Sequence, residues 1–151
     1  MAENREIERK FKLLSLPGNL ESYPSYEIEQ AYLSNSPTVR IRKSGSKYTL
    51  TYKSGAGMDH AEYNLPLTEE AYYHLLEKHD GNIITKRRYK IPYEGLTIEL
   101  DIFSGDMEGL IFAEVEFESV EDANSFVPPA WFGDDVTDDP HYRNSFMAYG
   151  Y

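Results

Sequence analysis

The chain contains no cysteine, which excludes disulfides, thiolate metal sites and a cysteine nucleophile. It also lacks any apolar run of membrane-spanning length, and its N-terminus has no apolar segment typical of a secretory signal. We therefore expect a cytoplasmic protein with no membrane partner. Basic residues are few, because 15 Lys and Arg stand against 26 Asp and Glu, for a net charge of -11. This balance argues against nucleic-acid binding and, taken alone, against an anionic substrate.

The residues that are present favour β-structure. A length of 151 residues, 40% of them hydrophobic, suits one domain spanning residues 1–151 with a substantial core. The 13 tyrosines and 7 phenylalanines favour strands. Alternation of residue type and flanking turn residues predict eight strands, over residues 5–14, 26–33, 38–43, 47–53, 59–65, 82–92, 96–103 and 110–118.

Helices are predicted at only a few places. Thr68 is a good N-cap, the acids Glu69 and Glu70 suit a first helical turn, and the helix should end before Gly81. Short helices are predicted over residues 120–126 and near residues 141–148, with loop elsewhere after residue 119. So many strands joined by short turns predict an α+β, mainly β fold with an antiparallel sheet. Closure into a barrel would remove its open edges.

Strand after strand has one apolar face and one charged face. In residues 5–11, Glu6, Glu8 and Lys10 point one way, and Ile7 and Phe11 point the other. The charged faces together hold six acids and six bases. They are Glu6, Glu8, Lys10, Arg40, Arg42, Lys53, Glu62, Lys86, Arg88, Asp101, Glu114 and Glu116.

Two arrangements of this barrel are compatible with the pattern. In one, the apolar face fills the interior and the charges lie in water, as charged residues usually do. In the other, the charges line a wet tunnel, they cancel formally, and the exterior carries the entire net charge of -11. The apolar outer face would then need a cover, which the helix near Thr68 and the C-terminal segment could provide.

A tunnel lined by both signs of charge suits one kind of chemistry. Six cations suit a polyanion such as triphosphate, because Arg grips phosphate oxygens bidentately and Lys supplies a point charge. Carboxylates alone would repel that ligand, but they are appropriate if they hold divalent metals that bridge to it. Such metals can neutralise phosphoryl charge and acidify an attacking water, so no protein nucleophile is needed.

Several short motifs resemble one known family. The segment Glu6-x-Glu8-x-Lys10 resembles the ExExK signature of the CYTH superfamily, the triphosphate tunnel metalloenzymes. The family's further elements follow in order: Val39-Arg40-Ile41-Arg42, Thr51-Tyr52-Lys53, Lys86-Arg87-Arg88-Tyr89, Leu100-Asp101-Ile102-Phe103, Glu114-Val115-Glu116, Val136-Thr137 and Tyr142-Arg143-Asn144. The resemblance implies an eight-stranded antiparallel tunnel barrel with a charged interior, covered by a few helices.

The resemblance also implies roles for individual residues, with Mg2+ or Mn2+, two ions, as cofactor. The metal ligands would be Glu6, Glu8, Glu114 and Glu116. The phosphates would be bound by Lys10, Arg40, Arg42, Lys53, Lys86 and Arg88, with Arg143 at the tunnel mouth. Catalytic roles would fall to Glu8, Glu62, Asp101 and Lys53, with Glu62 and Asp101 supporting the metal or its water.

Members of this family use several different substrates, and the sequence does not decide among them. The compact chain resembles the small bacterial-type members, so we expect hydrolysis of inorganic triphosphate to pyrophosphate and phosphate. The alternatives are adenylate cyclase, thiamine triphosphatase, nucleoside triphosphatase, or a polyphosphate- or nucleotide-binding module without turnover. The aromatic residues Tyr23, Tyr26 and Trp131 could stack on an organic group but are more typical of packing. We expect a monomer or homodimer, and we interpret His60, His74, His79 and His141 as surface or structural residues.

Overall fold

The computed structural model describes residues 5–54 and 58–150. The described strands are β1 (Arg5–Leu13), β2 (Ser25–Ser34), β3 (Thr38–Ser44), β4 (Lys47–Ser54), β5 (Asp59–Pro66), β6 (Asp80–Tyr93), β7 (Leu96–Ser104), β8 (Ile111–Phe117) and β9 (Phe132–Asp135). The described helices are α1 (Glu69–Leu76), α2 (Val120–Ser125) and α3 (Asn144–Tyr149). Short 3-10 turns cover Leu20–Ser22, Gly105–Met107 and Pro140–Tyr142.

The first eight strands close into an antiparallel barrel. Their order is β5-β4-β3-β2-β6-β7-β8-β1, and β1 closes the ring by pairing with β5, with Glu6 opposite His60. Each predicted strand is present, with bounds that differ by at most two residues. Within the described residues, no helix is long and apolar enough to span a membrane.

A ninth strand lies where the sequence predicts only loop. β9 pairs with the second half of β1, where Leu13 is opposite Phe132. Its four residues are too few to show an alternating pattern, so a long-range contact determines the strand. The buried ring of Phe132 supplies that contact by packing on Phe11, at 4.8 Å between ring centroids.

The apolar faces of the strands form the outer side of the barrel, as the tunnel arrangement requires. On one side, β1, β7 and β8 bury Phe11, Leu100 and Val115 beneath α2 and the segment that follows it. On another side, α1 places the fully buried Tyr72 against Ile41 of β3. The predicted tunnel barrel, with charged residues inside and apolar residues outside under helices, is therefore confirmed; we call it the reversed barrel.

The C-terminal helix α3 meets an apolar section of the barrel interior. Ile84, Phe103 and Phe112 share the inward faces of β6, β7 and β8 with charged residues, and all three are buried in one cluster with Met147 and Ala148 of α3. The bore is thus charged over only part of its length. The physical reason is that the inward positions near this end of the barrel meet a helix instead of water.

Two of the helices begin as the sequence predicts. The Thr68 hydroxyl accepts a hydrogen bond from the Ala71 amide at 3.0 Å, which caps α1. The Ser119 hydroxyl accepts from the Asp122 amide at 3.0 Å, which caps α2. α3 has no such cap and begins three residues after the predicted start.

Candidate active site

A cavity of about 690 Å³ occupies the bore, and most of the predicted site residues line it. Because directly opposed residues in an antiparallel ladder share a face, the register carries the inward face from strand to strand. The predicted residues on the cavity surface are Glu6, Glu8, Lys10, Arg40, Arg42, Lys53, Glu62, Arg88, Glu114, Glu116 and Arg143. The two exceptions are Lys86 and Asp101.

Carboxylates from β1 and β8 form one wall of the cavity. Glu8 is opposite Glu116, and Lys10 is opposite Glu114, with Lys10 Nζ 3.6 Å from the Glu114 carboxylate. Burial, together with the charges of Glu114 and Glu6, raises the pKa of Glu8 well above its usual value. Burial also opposes ionisation of Glu114, but Lys10 and Arg88 hold its pKa well below the usual range. In this wall the charge of Glu114 is therefore compensated by nearby bases, whereas that of Glu8 is not.

A second acidic group lies where β1 meets β5. The Oε1 atom of Glu6 is 3.0 Å from Lys53 Nζ and 2.6 Å from His60 Nε2, and Lys53 Nζ is 3.4 Å from Glu62. Ligand atoms of Glu6, His60 and Glu62 lie within 4.8 Å of one another, close enough to surround a cation. Although burial raises the pKa of Glu6, its contacts with His60 and Lys53 bring it far below the usual value.

The opposite wall is basic and comes mainly from β3 and β6. Arg40 is 4% exposed, and its Nε atom has no hydrogen-bond partner within the described part of the chain. Arg42 Nε donates to Gln30 Oε1 at 2.9 Å. Burial, then the charges of Arg40 and Arg88, lower the pKa of Arg42 to about 9. These guanidinium groups are held close together without enough negative charge, which favours binding of a polyanion.

Two predicted residues lie behind this wall. Lys86 and Asp101 are fully buried; Lys86 Nζ donates to Asp101 at 2.8 Å, and Arg88 donates to both Asp101 oxygens at 2.8 and 2.9 Å. Both Asp101 oxygens therefore accept from Lys86 or Arg88, and the expectation that Asp101 supports a metal or its water stays a prediction. Strand periodicity correctly predicted its face, but it contains no information on how deep a side chain lies.

The residues that line the cavity without having been predicted include Glu99 and His60. Glu99 shares the inward face of β7 with Asp101. Its Oε1 atom lies 3.3 Å from Arg88 Nη1, and its Oε2 atom accepts a hydrogen bond from Lys90 Nζ at 2.6 Å. His60 faces the bore beside Glu6, so its interpretation as a surface or structural residue is wrong in location. The alternation that placed Glu62 inward also places His60 inward, and this signal could have identified it.

The C-terminal segment contributes the remaining side of the cavity. Lys10 Nζ donates to the Tyr142 carbonyl oxygen at 2.6 Å, and the Lys10 amide donates to Thr137 Oγ1 at 3.0 Å. These contacts hold the segment against β1 and bring Arg143 and Asn144 to the cavity surface. Arg143 lines the cavity, and its place at the tunnel mouth stays a prediction.

The opposed walls define the class of protein: a closed antiparallel barrel whose bore can hold a phosphate polyanion between cationic side chains and cation-binding carboxylates. The chain belongs to the CYTH family, because the model of the CYTH domain matches residues 4–128. This family of triphosphatases is metal-dependent in general. The resemblance predicted from the ExExK segment is confirmed.

Similar proteins span nearly the whole chain. This chain is 38% identical over 149 residues to the inorganic triphosphatase of Nitrosomonas europaea, and the match covers 95% of this chain and 96% of that protein. It is 36% identical over 156 residues to the inorganic triphosphatase of Acetivibrio thermocellus, covering 95% and 93%. A crystal structure of an inorganic triphosphatase matches with a TM-score of 0.70 at 33% identity, covering 95% and 93%. A Hippeastrum protein with a dominant triphosphatase activity shares the fold alone, at TM-score 0.58, 17% identity and coverage of 79% and 82%.

Proposed function

We propose that this protein is a hydrolase that converts inorganic triphosphate to pyrophosphate and phosphate inside the charged bore. The observation that carries the proposal is the pair of opposed walls, acidic and basic, around one cavity of about 690 Å³. The relatives named as inorganic triphosphatases, which match 95% of the chain, support the same reaction. Because phosphoryl transfer depends mainly on positioning and electrostatics, the bore needs no protein nucleophile.

The acidic wall suits hard divalent cations, and we propose Mg2+ or Mn2+, because its ligands are carboxylate oxygens and the chain has no cysteine thiolate. Two ions would be held by Glu6, Glu8, Glu114 and Glu116. Burial and the neighbouring carboxylates Glu114 and Glu6 raise the pKa of Glu8, and this concentration of acids is the observation that fits a cation there. Bound cations would neutralise phosphoryl charge and acidify a water molecule.

The basic wall would bind and orient the phosphates. Arg40, Arg42 and Arg88 offer guanidinium forks to phosphate oxygens, while Lys10 and Lys53 supply point charges beside the carboxylates. Arg143 would contact the substrate at the edge of the bore. Because Lys86 and Asp101 lie behind the cavity surface, we propose that they act through Arg88.

Glu62 is our candidate for holding the attacking water. Burial and the neighbouring Glu6 raise the pKa of Glu62, so it is a better proton acceptor than an ordinary exposed carboxylate. Lys53 lies between Glu6 and Glu62 and would keep both carboxylates at a fixed separation. Glu8 would take part through the cation that it binds.

The cavity lining favours an all-phosphate substrate over one with an organic group. Tyr23, Tyr26 and Trp131 do not line the cavity, whose aromatic side chains are Tyr32 and His60 among the described residues. A base or thiazole ring would therefore find little stacking surface. We also propose a cytoplasmic single-domain protein, monomeric or homodimeric, whose partner is a small-molecule triphosphate and not a nucleic acid or membrane.

The test is a panel assay of phosphate release from triphosphate, ATP and thiamine triphosphate, each with Mg2+, Mn2+ or Ca2+. We expect metal-dependent release that is fastest with inorganic triphosphate. Glu114→Gln should reduce the rate by about 10- to 100-fold, because it weakens the cation site, whereas the exposed Glu118→Gln should not change it. Cyclic AMP with pyrophosphate as products, or tight binding without turnover, would contradict the proposal.

A further inference from the structure

His60 makes a close contact with a carboxylate of the proposed metal site. Its Nε2 atom lies 2.6 Å from Glu6 Oε1, with 9% of the His60 side chain and 12% of the Glu6 side chain exposed. A carboxylate can only accept a hydrogen bond, so Nε2 carries the hydrogen and donates it. The same oxygen accepts from Lys53 Nζ at 3.0 Å.

The distance distinguishes a hydrogen bond from a pair of metal ligands. Neighbouring ligands of an octahedral ion with bonds of about 2.1 Å lie about 3 Å apart. A separation of 2.6 Å between His60 and Glu6 is shorter than that, and a donated hydrogen between the two atoms explains it. Oε1 of Glu6 thus accepts from two donors, which fixes the orientation of the carboxylate.

The position of His60 in the barrel restricts the movement of its ring relative to Glu6. Glu6 and His60 are direct register partners at the short pairing of β1 with β5, which spans Arg5–Ile7 and closes the barrel. Directly opposed residues in an antiparallel pair keep their Cβ atoms about 5 Å apart, so the ring cannot move far from the carboxylate. β5 thus holds a carboxylate of β1 in a fixed orientation.

We propose that His60 is a positioning residue that orients Glu6 for metal binding by donating a hydrogen bond to Oε1. The inference rests on the proposed function, in which Glu6 is a metal ligand. Groups that orient a metal ligand in this way usually change metal affinity by about 10- to 100-fold when they are removed. The effect should fall on the metal and not on the phosphates, because His60 bonds a proposed metal ligand, whereas the arginines of the basic wall lie on β3 and β6.

The test compares His60→Leu, which removes the donor, with His60→Gln, which can replace Nε2 with an amide N–H. Mn2+ binding is measured without substrate by isothermal titration and by electron paramagnetic resonance. We expect His60→Leu to weaken Mn2+ binding by about 10- to 100-fold and His60→Gln by less than about threefold. At saturating Mn2+, KM for triphosphate should stay within about twofold for both variants. His74→Gln, on the exposed face of α1, is the control and should match wild type.

Two results would overturn the inference. In one, His60→Leu binds Mn2+ as tightly as wild type while remaining folded by thermal melting. In the other, wild-type Mn2+ shows nitrogen hyperfine coupling and His60→Gln is as weak as His60→Leu, which makes His60 a direct ligand. If wild type shows no saturable Mn2+ binding, the proposed metal site itself is wrong, and this failure is distinct from the other two.

Discussion

At the scale of single residues, the basic wall is defined by which way each arginine points. Arg42 faces the bore and Arg87 faces outward, where it is 3.4 Å from Glu27. We expect Arg42→Ala to lower kcat/KM for triphosphate by about 10- to 100-fold, because one hydrogen-bonding contact with a charged group is worth about 1.5–3 kcal/mol. Steady-state kinetics measure this loss. Arg87→Ala is the matched control, and an equal loss in both variants would contradict a role specific to the bore.

Lys86 gives the free energy of unfolding a predictable dependence on pH. Burial, despite the attraction of Asp101, lowers the pKa of Lys86 from 10.5 to about 7. Between these values the unfolded chain binds a proton that the folded chain does not, so stability rises with pH across this window. This one group contributes at most about 1.4 kcal/mol per pH unit.

The measurement is urea unfolding from pH 7 to pH 10 for wild type and Lys86→Met, both without metal or phosphate. Met has a similar length and no charge, and Asp101 keeps its bonds with Arg88. We expect the stability of wild type to rise more steeply with pH than that of the variant. Parallel curves would show that Lys86 remains charged throughout.

The residue scale also shows what sequence periodicity can and cannot provide. Alternation assigned Glu8, Arg42 and Glu114 to one face, and all three line the cavity. The same alternation assigned Asp101 to that face but could not show that its side chain is fully buried and bonded to Lys86 and Arg88. Depth depends on the lengths of neighbouring side chains across the bore, which a strand pattern does not contain.

At the scale of elements, the close approach of β6 and α3 depends on a glycine. Gly81 has φ +61°, and a Cβ atom there would lie 2.1 Å from the Ala148 carbonyl oxygen. Gly45 also has φ +61° but has no atom near its Cβ position. Comparing alanine substitutions at Gly45 and Gly81 therefore separates the free-energy cost of the backbone conformation from the cost of displacing α3.

We expect Gly45→Ala to lower the free energy of unfolding by about 1–2 kcal/mol, the cost of a left-handed conformation. Gly81→Ala should lose about 1–3 kcal/mol more, because the methyl group must push against helix backbone. Urea unfolding of the two variants measures the difference. Equal losses would contradict the tight contact between α3 and the barrel.

The elements that sequence analysis found are those with strong local signals. All eight barrel strands and the Thr68 cap follow from alternation and capping residues near one another in the chain. β9 exists because Phe132 packs on β1, far away in sequence. The apolar interior under α3 likewise depends on contacts between β6–β8 and the C-terminus, which no local pattern encodes.

At the scale of the whole molecule, total charge is a poor guide to the ligand. The net charge of -11 argues against an anionic substrate, yet the bore gathers Arg40, Arg42 and Arg88 on one wall. A ligand in the bore responds to these nearby groups much more than to exposed acids, because distant surface charges are screened over about 10 Å. The reversed barrel therefore separates an acidic exterior from a cation-rich binding surface.

In the proposed site, metal and triphosphate should depend on each other as stabilising ligands, because each offsets the charge of one wall. With Mg2+ and a slowly hydrolysed triphosphate analogue at about 100 times their Kd, stability should rise by about 2.7 kcal/mol. For a chain of this size that corresponds to an increase in Tm of about 5–10 °C. Thermal melts should show a smaller shift with either ligand alone, and EDTA should reverse it. An equal shift in Glu114→Gln would contradict binding through the acidic wall.

The interior of the barrel, and not its surface, is the proposed binding site for triphosphate and divalent cations. The most direct measurement is anomalous diffraction from crystals grown with Mn2+ and the triphosphate analogue. We expect Mn2+ peaks beside Glu6, Glu8, Glu114 and Glu116, with phosphate density reaching Arg40 and Arg42. Mn2+ and phosphate found only on the outer surface, with a water-filled bore, would contradict binding inside the barrel.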